Sequence, residues 1–152
     1  MNQDLFRIIQ LSYVYIDVVK QAKVFETSFG MPKFSFHEYM DAPIIYRNKK
    51  TRVSLKCVKS RILNSYGIEL IQLIAGEDNL YFEFLNKGRE GLHHLDILVH
   101  DFEKHIEFFD QKGFKIIQKG KSILRWAYLD TETLLGFMIE LVEGAPPRRK
   151  RK

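Results

Sequence analysis

The stretch LHHLDILVHDFEKHIEFFDQKGF, residues 92–114, has a counterpart at residues 7–30, RIIQLSYVYIDVVKQAKVFETSFG. In the earlier copy, residues 7–16 are rich in β-branched and aromatic side chains, which predicts a strand. Asp17 follows, and then 18–29 places Val18, Ala22, Phe25 and Phe29 on one helical face. Gly30 stands where a helix C-cap belongs. The later copy repeats the order: a strand, Asp101, a helix with Phe102, His105, Ile106 and Phe109 on one side, and Gly113. A step of 84 residues aligns Gln10 with His94, Asp17 with Asp101 and Phe25 with Phe109, and the two glycines match after a one-residue slip.

The second half of each copy repeats as well. Ile68-Glu69-Leu70 follows Gly67, and Ile139-Glu140-Leu141 comes soon after Gly136. Each is an apolar strand interrupted by one glutamate. Further strands are expected at 43–47, 51–58, 114–119 and 123–130, so each copy reads β-α-β-β-β. A linking helix is expected over 78–87, capped by Asp78 or Asn79. An internal repeat constrains the whole fold. The predicted class is α+β, with two βαβββ modules curling into a half-open mixed β-barrel around a cleft. One domain is expected over 1–143, with module one at 6–75, module two at 91–143, and a basic disordered tail over 144–152.

Strand residues alternate faces, so Gln10, Ser12 and Val14 point one way, and His94, Asp96 and Leu98 share the equivalent face of the repeat strand. A carboxylate inside an apolar strand is costly unless a charge or a hydrogen bond receives it. A pseudo-twofold between the modules would bring Gln10 and Glu69 from one half to His94 and Glu140 from the other. An amide oxygen, an imidazole and two carboxylates suit a first-row divalent ion. Singly, each of these residues has a plainer reading as an edge or core residue; their correspondence across the repeat singles them out. His93 lies on the face opposite His94 and reads as structural, and Trp126 and Tyr128 fit either a core or a pocket wall.

EFLNKGREGLHHLDILVHDFEKHIEFFDQKGF and the closing YLDTETLLGFMIELVE resemble methylmalonyl-CoA epimerase-like proteins. The opening QLSYVYIDVVKQAKVFETSFGM is similar to the first module of the wider vicinal oxygen chelate (glyoxalase/bleomycin resistance/dioxygenase) superfamily. The resemblance implies a glyoxalase-like fold and metal ligands on the first and last strands of each module, which fall here on Gln10, Glu69, His94 and Glu140. It implies one divalent ion (Zn, Co, Ni or Mn), a small-molecule substrate and a homodimer. It also implies removal of a proton next to the carbonyl of an acyl-thioester-like compound, with Glu140 as base, or alternatively Glu38 in FSFHEYM. Epimerases usually carry histidine at the position of Gln10, whereas Gln-Glu-His-Glu is a set found in some glyoxalases. A glyoxalase-type lyase acting on a thiol adduct is therefore the alternative, and a drug-sequestering protein without turnover a third. Loss of that histidine argues against extradiol ring cleavage, which needs two histidines and one carboxylate around iron.

The net charge of +5 suggests a polyanion partner, yet Arg148, Arg149, Lys150, Arg151 and Lys152 account for it. Without them 19 basic residues balance 19 acidic ones, and no nucleic acid is expected for the body. No apolar run approaches the roughly 18–20 residues of a membrane span. With Cys57 as the single cysteine, an internal disulfide is impossible and a reducing cytoplasm is expected.

Overall fold

The computed structural model describes residues 7–61 and 67–144. The first module runs β1 (Ile8–Val14), α1 (Val18–Phe29), β2 (Ser35–Tyr46), β3 (Lys49–Arg61) and β4 (Gly67–Ala75). Helix α2 (Leu80–Asn86) links it to β5 (Gly91–Val99), α3 (Phe102–Gln111), β6 (Ile116–Lys121), β7 (Arg125–Leu129), α4 (Glu132–Leu135) and β8 (Met138–Glu143). The eight strands form one barrel in the order β1-β4-β3-β2-β6-β7-β8-β5. The two-module α+β architecture expected from the repeat is therefore present. The expected tail, from residue 145 onward, lies outside the described residues. No helix among the described residues is long and apolar enough to cross a membrane.

The repeat is visible in the details of local structure. Asp17 caps α1 by accepting a hydrogen bond from the Lys20 amide at 3.0 Å, and Asp101 caps α3 by accepting one from the Lys104 amide at 3.3 Å. Gly30 and Gly113 both take the left-handed conformation, at φ 64° and 87°, that ends a helix without a Cβ clash. Of the two caps considered for α2, Asn79 serves, accepting from the Phe82 amide at 2.8 Å. Strand β1 runs parallel to β4 with Ser12 opposite Glu69, and β5 runs parallel to β8 with Asp96 opposite Glu140. The modules meet where β1 pairs antiparallel with β5, with Gln10 opposite Asp96 and Ser12 opposite His94. That crosswise pairing is what a pseudo-twofold between the strands requires.

Two elements differ from expectation. Strand β2 begins at Ser35, eight residues before the expected start, because Ser35–Tyr39 pairs with β3 as an exposed hairpin arm. A bulge between Tyr39 and Ala42 absorbs the irregularity, with Asp41 at φ 51°. The short helix α4 fills the connection between β7 and β8.

Barrel closure is local. Strand β2 meets β6 only through Ile44↔Gly120, Ile45↔Lys119 and Tyr46↔Gln118, so the outer half of β2 is paired on β3 alone.

Three apolar clusters fix the frame. Val18, Ala22, Phe34, Val58, Ile68 and Leu70 pack beneath α1, and Ile97, Val99, Phe102, Ala127, Leu129, Ile139 and Leu141 pack beneath α3. The third lies inside the barrel, where Leu80, Tyr81 and Phe84 of α2 close one end over Val14, Leu55, Ile71 and Tyr128. Full burial of such side chains stabilises the fold by about 1.5–3 kcal/mol each, so the strands are held firmly enough to present fixed polar groups to the interior.

Candidate metal centre

Inside the barrel, above that apolar plug, polar side chains from both modules converge. Glu69, His94 and Asp96 are all buried, and each offers a ligand atom within 4.8 Å of the other two, so they can hold a metal ion. His94 Nε2 lies 3.1 Å from Asp96 Oδ1 and 3.0 Å from Glu140 Oε2. The Ser12 hydroxyl sits 3.2 Å from both Glu69 Oε2 and Asp96 Oδ1, and with one proton it can donate to only one of them at a time. Lys59 Nζ approaches Glu69 Oε1 at 3.4 Å. Gln10, Lys59, Glu69, Asp96, Tyr128 and Glu140 all line one interior cavity of about 430 Å³.

The structure therefore brings Glu69, His94 and Glu140 together, and sets Gln10 on the wall of the same cavity. Glu38 does not join them. It is exposed beside Lys56, at 3.9 Å, whereas its neighbour Tyr39 faces the cavity. In an extended strand successive side chains take opposite faces, so Glu38 points away from the barrel interior.

Ser12 and Asp96 were missed as members of the cluster. Both stand two residues beyond Gln10 and His94, on the same faces, and are themselves related by the 84-residue step. That second pair of matched polar positions was the available signal.

Burial and charge tune these groups against one another. Burial disfavours a charged His94, but Asp96 and Glu140 outweigh it and raise its pKa to about 10. Burial raises the Glu140 carboxyl to about 7, with Asp96 adding to the rise and His94 opposing it. Glu69 is raised by burial and then by Asp96, against the pull of Lys59 and His94. Three carboxyl groups thus share a buried pocket with two cations, His94 and Lys59, and full ionisation of all three without a further cation is what burial opposes. Imidazole nitrogen and carboxylate oxygen are ordinary ligands of first-row divalent ions. The donor set fits such an ion, with the His94 proton as the group it would displace.

His93 is more than filler on the opposite face. Its ring stacks on Tyr81 and meets Phe84 edge-on, while its Nδ1 lies 2.9 Å from Nδ1 of His94. Burial and the neighbouring His94 push its pKa well below the usual value, so it stays neutral and can accept the His94 Nδ1–H. On the other side, the Tyr128 hydroxyl is 3.3 Å from His94 Nε2 and 2.9 Å from the Tyr81 hydroxyl. Such contacts orient an imidazole and fix which nitrogen is free for a ligand.

The chain belongs to the glyoxalase/bleomycin resistance protein/dioxygenase superfamily, whose family model matches residues 9–127. No curated protein matches it in sequence. Among solved structures, a hypothetical protein from Bacillus halodurans C-125 is similar at TM-score 0.70 and 17% identity, over 91% of this chain and 94% of that one. Methylmalonyl-CoA epimerase from Mycobacterium tuberculosis gives TM-score 0.66 at 19% identity, over 96% and 93%. A variant of the Streptomyces coelicolor methylmalonyl-CoA epimerase, in complex with 2-nitronate-propionyl-CoA, gives 0.67 at 19% identity, over 93% and 99%. At these identities the likeness is one of fold.

Proposed function

We propose that the protein is a divalent-metal-dependent isomerase or epimerase that removes a proton next to the carbonyl of an acyl-thioester-like small molecule. The observation that carries this reading is the buried group of Glu69, His94, Asp96 and Glu140 at the wall of a cavity large enough for a reacting acyl group. The similar epimerases, one of them seen with methylmalonyl-CoA, support the choice of substrate class.

The metal (Zn, Co, Ni or Mn) would be held by Glu69, His94 and Glu140, with the Gln10 amide oxygen and the Asp96 carboxylate as further donors. Bound there, it would supply Lewis-acid stabilisation of the charge developing on the substrate oxygen. Glu140 takes the proton; its return from Glu140 to a neighbouring atom completes an isomerisation, whereas epimerisation requires a second acid to return a proton to the opposite face of the enolate. In the metal-free chain burial and Asp96 raise the Glu140 carboxyl, and a bound cation would draw it back to the carboxylate form that accepts a proton. Tyr128, Tyr81 and His93 keep the His94 ring in place, and the apolar side chains of the plug exclude water from beneath it.

One observation favours a second reading. Gln10, rather than a histidine, occupies the first-strand position, as in some glyoxalases, which supports a lyase acting on a thiol adduct. Both readings share the proton transfer. The exposed apolar side chains Phe36, Met40 and Ile123 support a homodimer that covers them, and the single buried thiol, Cys57, suits the cytoplasm.

The test is metal analysis of the purified protein, followed by incubation with candidate acyl thioesters and hemithioacetals in deuterated water. Metal-dependent deuterium uptake at the carbon next to the carbonyl is expected. Absence of both metal and exchange would favour a sequestering protein.

A further inference from the structure

A second and larger cavity, of about 720 Å³, lies on the outside of the barrel, between α3 and the β2–β3 hairpin. Its floor is apolar, with Pro43, Ile45, Phe102, Ile106 and Trp126. Its polar groups are nearly all of one sign: Lys50, Arg52, Lys119, Lys121 and Arg125, against Glu103 alone. Arg52 is paired with Asp41, and Arg125 with Glu103 and Glu143. Lys50, Lys119 and Lys121 take part in no ion pair among the described residues.

The sheet register shows why these charges gather. On one rung Ile45 of β2 stands between Lys50 of β3 and Lys119 of β6, all on the outer face. Two strand spacings put the Lys50 and Lys119 backbones about 10 Å apart, so two flexible ammonium groups can converge on one anion above Ile45. On the next rung toward the loop, Lys121 pairs with Arg125. Holding like charges this close is unfavourable in an otherwise balanced body, and a polyanion relieves it.

The outer groove and the interior cavity share Pro43, Ile44, Lys121 and Trp126. They meet at the short β2–β6 seam, where Gly120 lies directly against the Trp126 indole and a Cβ there would collide with the ring. A ligand on the outer face would therefore sit a single side chain away from the cavity that holds the carboxylate cluster.

We propose that this groove is a binding site for a diphosphate-bearing small molecule with a planar or apolar body, such as a nucleoside diphosphate. The volume lies within the usual range for a small-molecule site, the cations match phosphate oxygens, and the apolar floor takes the uncharged part. The ligand is either the phosphorylated handle of the substrate, which rests on the function proposed above, or a separate nucleotide.

Calorimetry and Trp126 fluorescence, on the full-length protein, test this with ADP, adenosine and coenzyme A as probes. Trp126 is the chain's single tryptophan and reports directly on both cavities. ADP is expected to bind and to perturb Trp126, and adenosine to bind far more weakly. Lys50→Glu with Lys119→Glu should weaken ADP by about tenfold or more, while the same charge reversal at Lys20 and Lys23 on α1 should change it little. Coenzyme A binding clearly tighter than ADP assigns the groove to the handle of the substrate, and equal affinities assign it to a separate nucleotide. Failure of ADP to bind, or equal binding by the Lys50/Lys119 and Lys20/Lys23 variants, overturns the site. Metal content measured on the same samples tests the catalytic reading separately, because Lys50 and Lys119 lie outside the interior cavity.

Discussion

His94 and Glu140 are joined at 3.0 Å between Nε2 and Oε2, and Asp96 approaches the same nitrogen at 3.1 Å. An imidazole held between two buried carboxylates keeps its proton well past neutrality, up to about pH 10. In the metal-free protein this stabilisation is complete below the ordinary histidine pKa of 6.5 and is lost as pH rises through about 10. A metal ion needs that same nitrogen without its proton. Metal affinity should therefore rise with pH between 6 and 9, by about tenfold per pH unit for each proton displaced. Chelator competition at several pH values, with proton release followed in two buffers, checks this. A pH-independent affinity would remove His94 from the ligand set.

The two glutamates considered as base should behave oppositely. Glu140→Gln should lower isotope exchange by about 10²–10⁴-fold, the usual contribution of a placed acid–base group. Glu38→Gln should leave exchange and stability nearly unchanged, within about 0.5 kcal/mol, as for an exposed surface site. Exchange rates of the two variants on one thioester make the comparison. A large loss from Glu38→Gln would restore it as the base.

Equivalence of the modules has an energetic consequence. Asp17→Ala and Asp101→Ala each remove the acceptor for an orphan helix amide, and each should cost about 1 kcal/mol. Urea unfolding of both variants measures it. A loss at one position only would show that the two caps contribute differently, despite their matched geometry.

Gly120 has no side chain because the Trp126 indole occupies that space. Gly120→Ala should destabilise the fold by about 1–3 kcal/mol through overpacking and alter Trp126 emission. Unchanged stability and emission would place the ring elsewhere.

Much of this structure was legible in the residues. The matched order of strand, aspartate, helix and glycine was enough to recover the two modules, and the lone glutamates in apolar strands marked Glu69 and Glu140. Less legible were features that arise only when strands pair. The Ser35–Tyr39 arm lacks an apolar alternation because it is exposed, so nothing in its residues distinguishes it from a loop or shows that Glu38 faces away from the barrel interior. Asp96 was placed on the correct face, but its approach to His94 and Ser12 depends on the antiparallel crossing of β1 and β5. The basic groove is invisible in a body whose charges balance overall, since it is assembled from Lys50, Lys119 and Lys121 on separate strands. Register, rather than composition, brings them together.

Metal content of the purified protein beside that of His94→Ala and Glu140→Ala, with deuterium exchange measured on the same samples, tests the proposed centre most directly. The unaltered protein should hold close to one divalent ion per chain and promote exchange next to a thioester carbonyl, and both variants should lose ion and exchange together. A double variant lacking His94 and Glu140 that still retains a stoichiometric ion, or that still exchanges deuterium, would contradict the assignment.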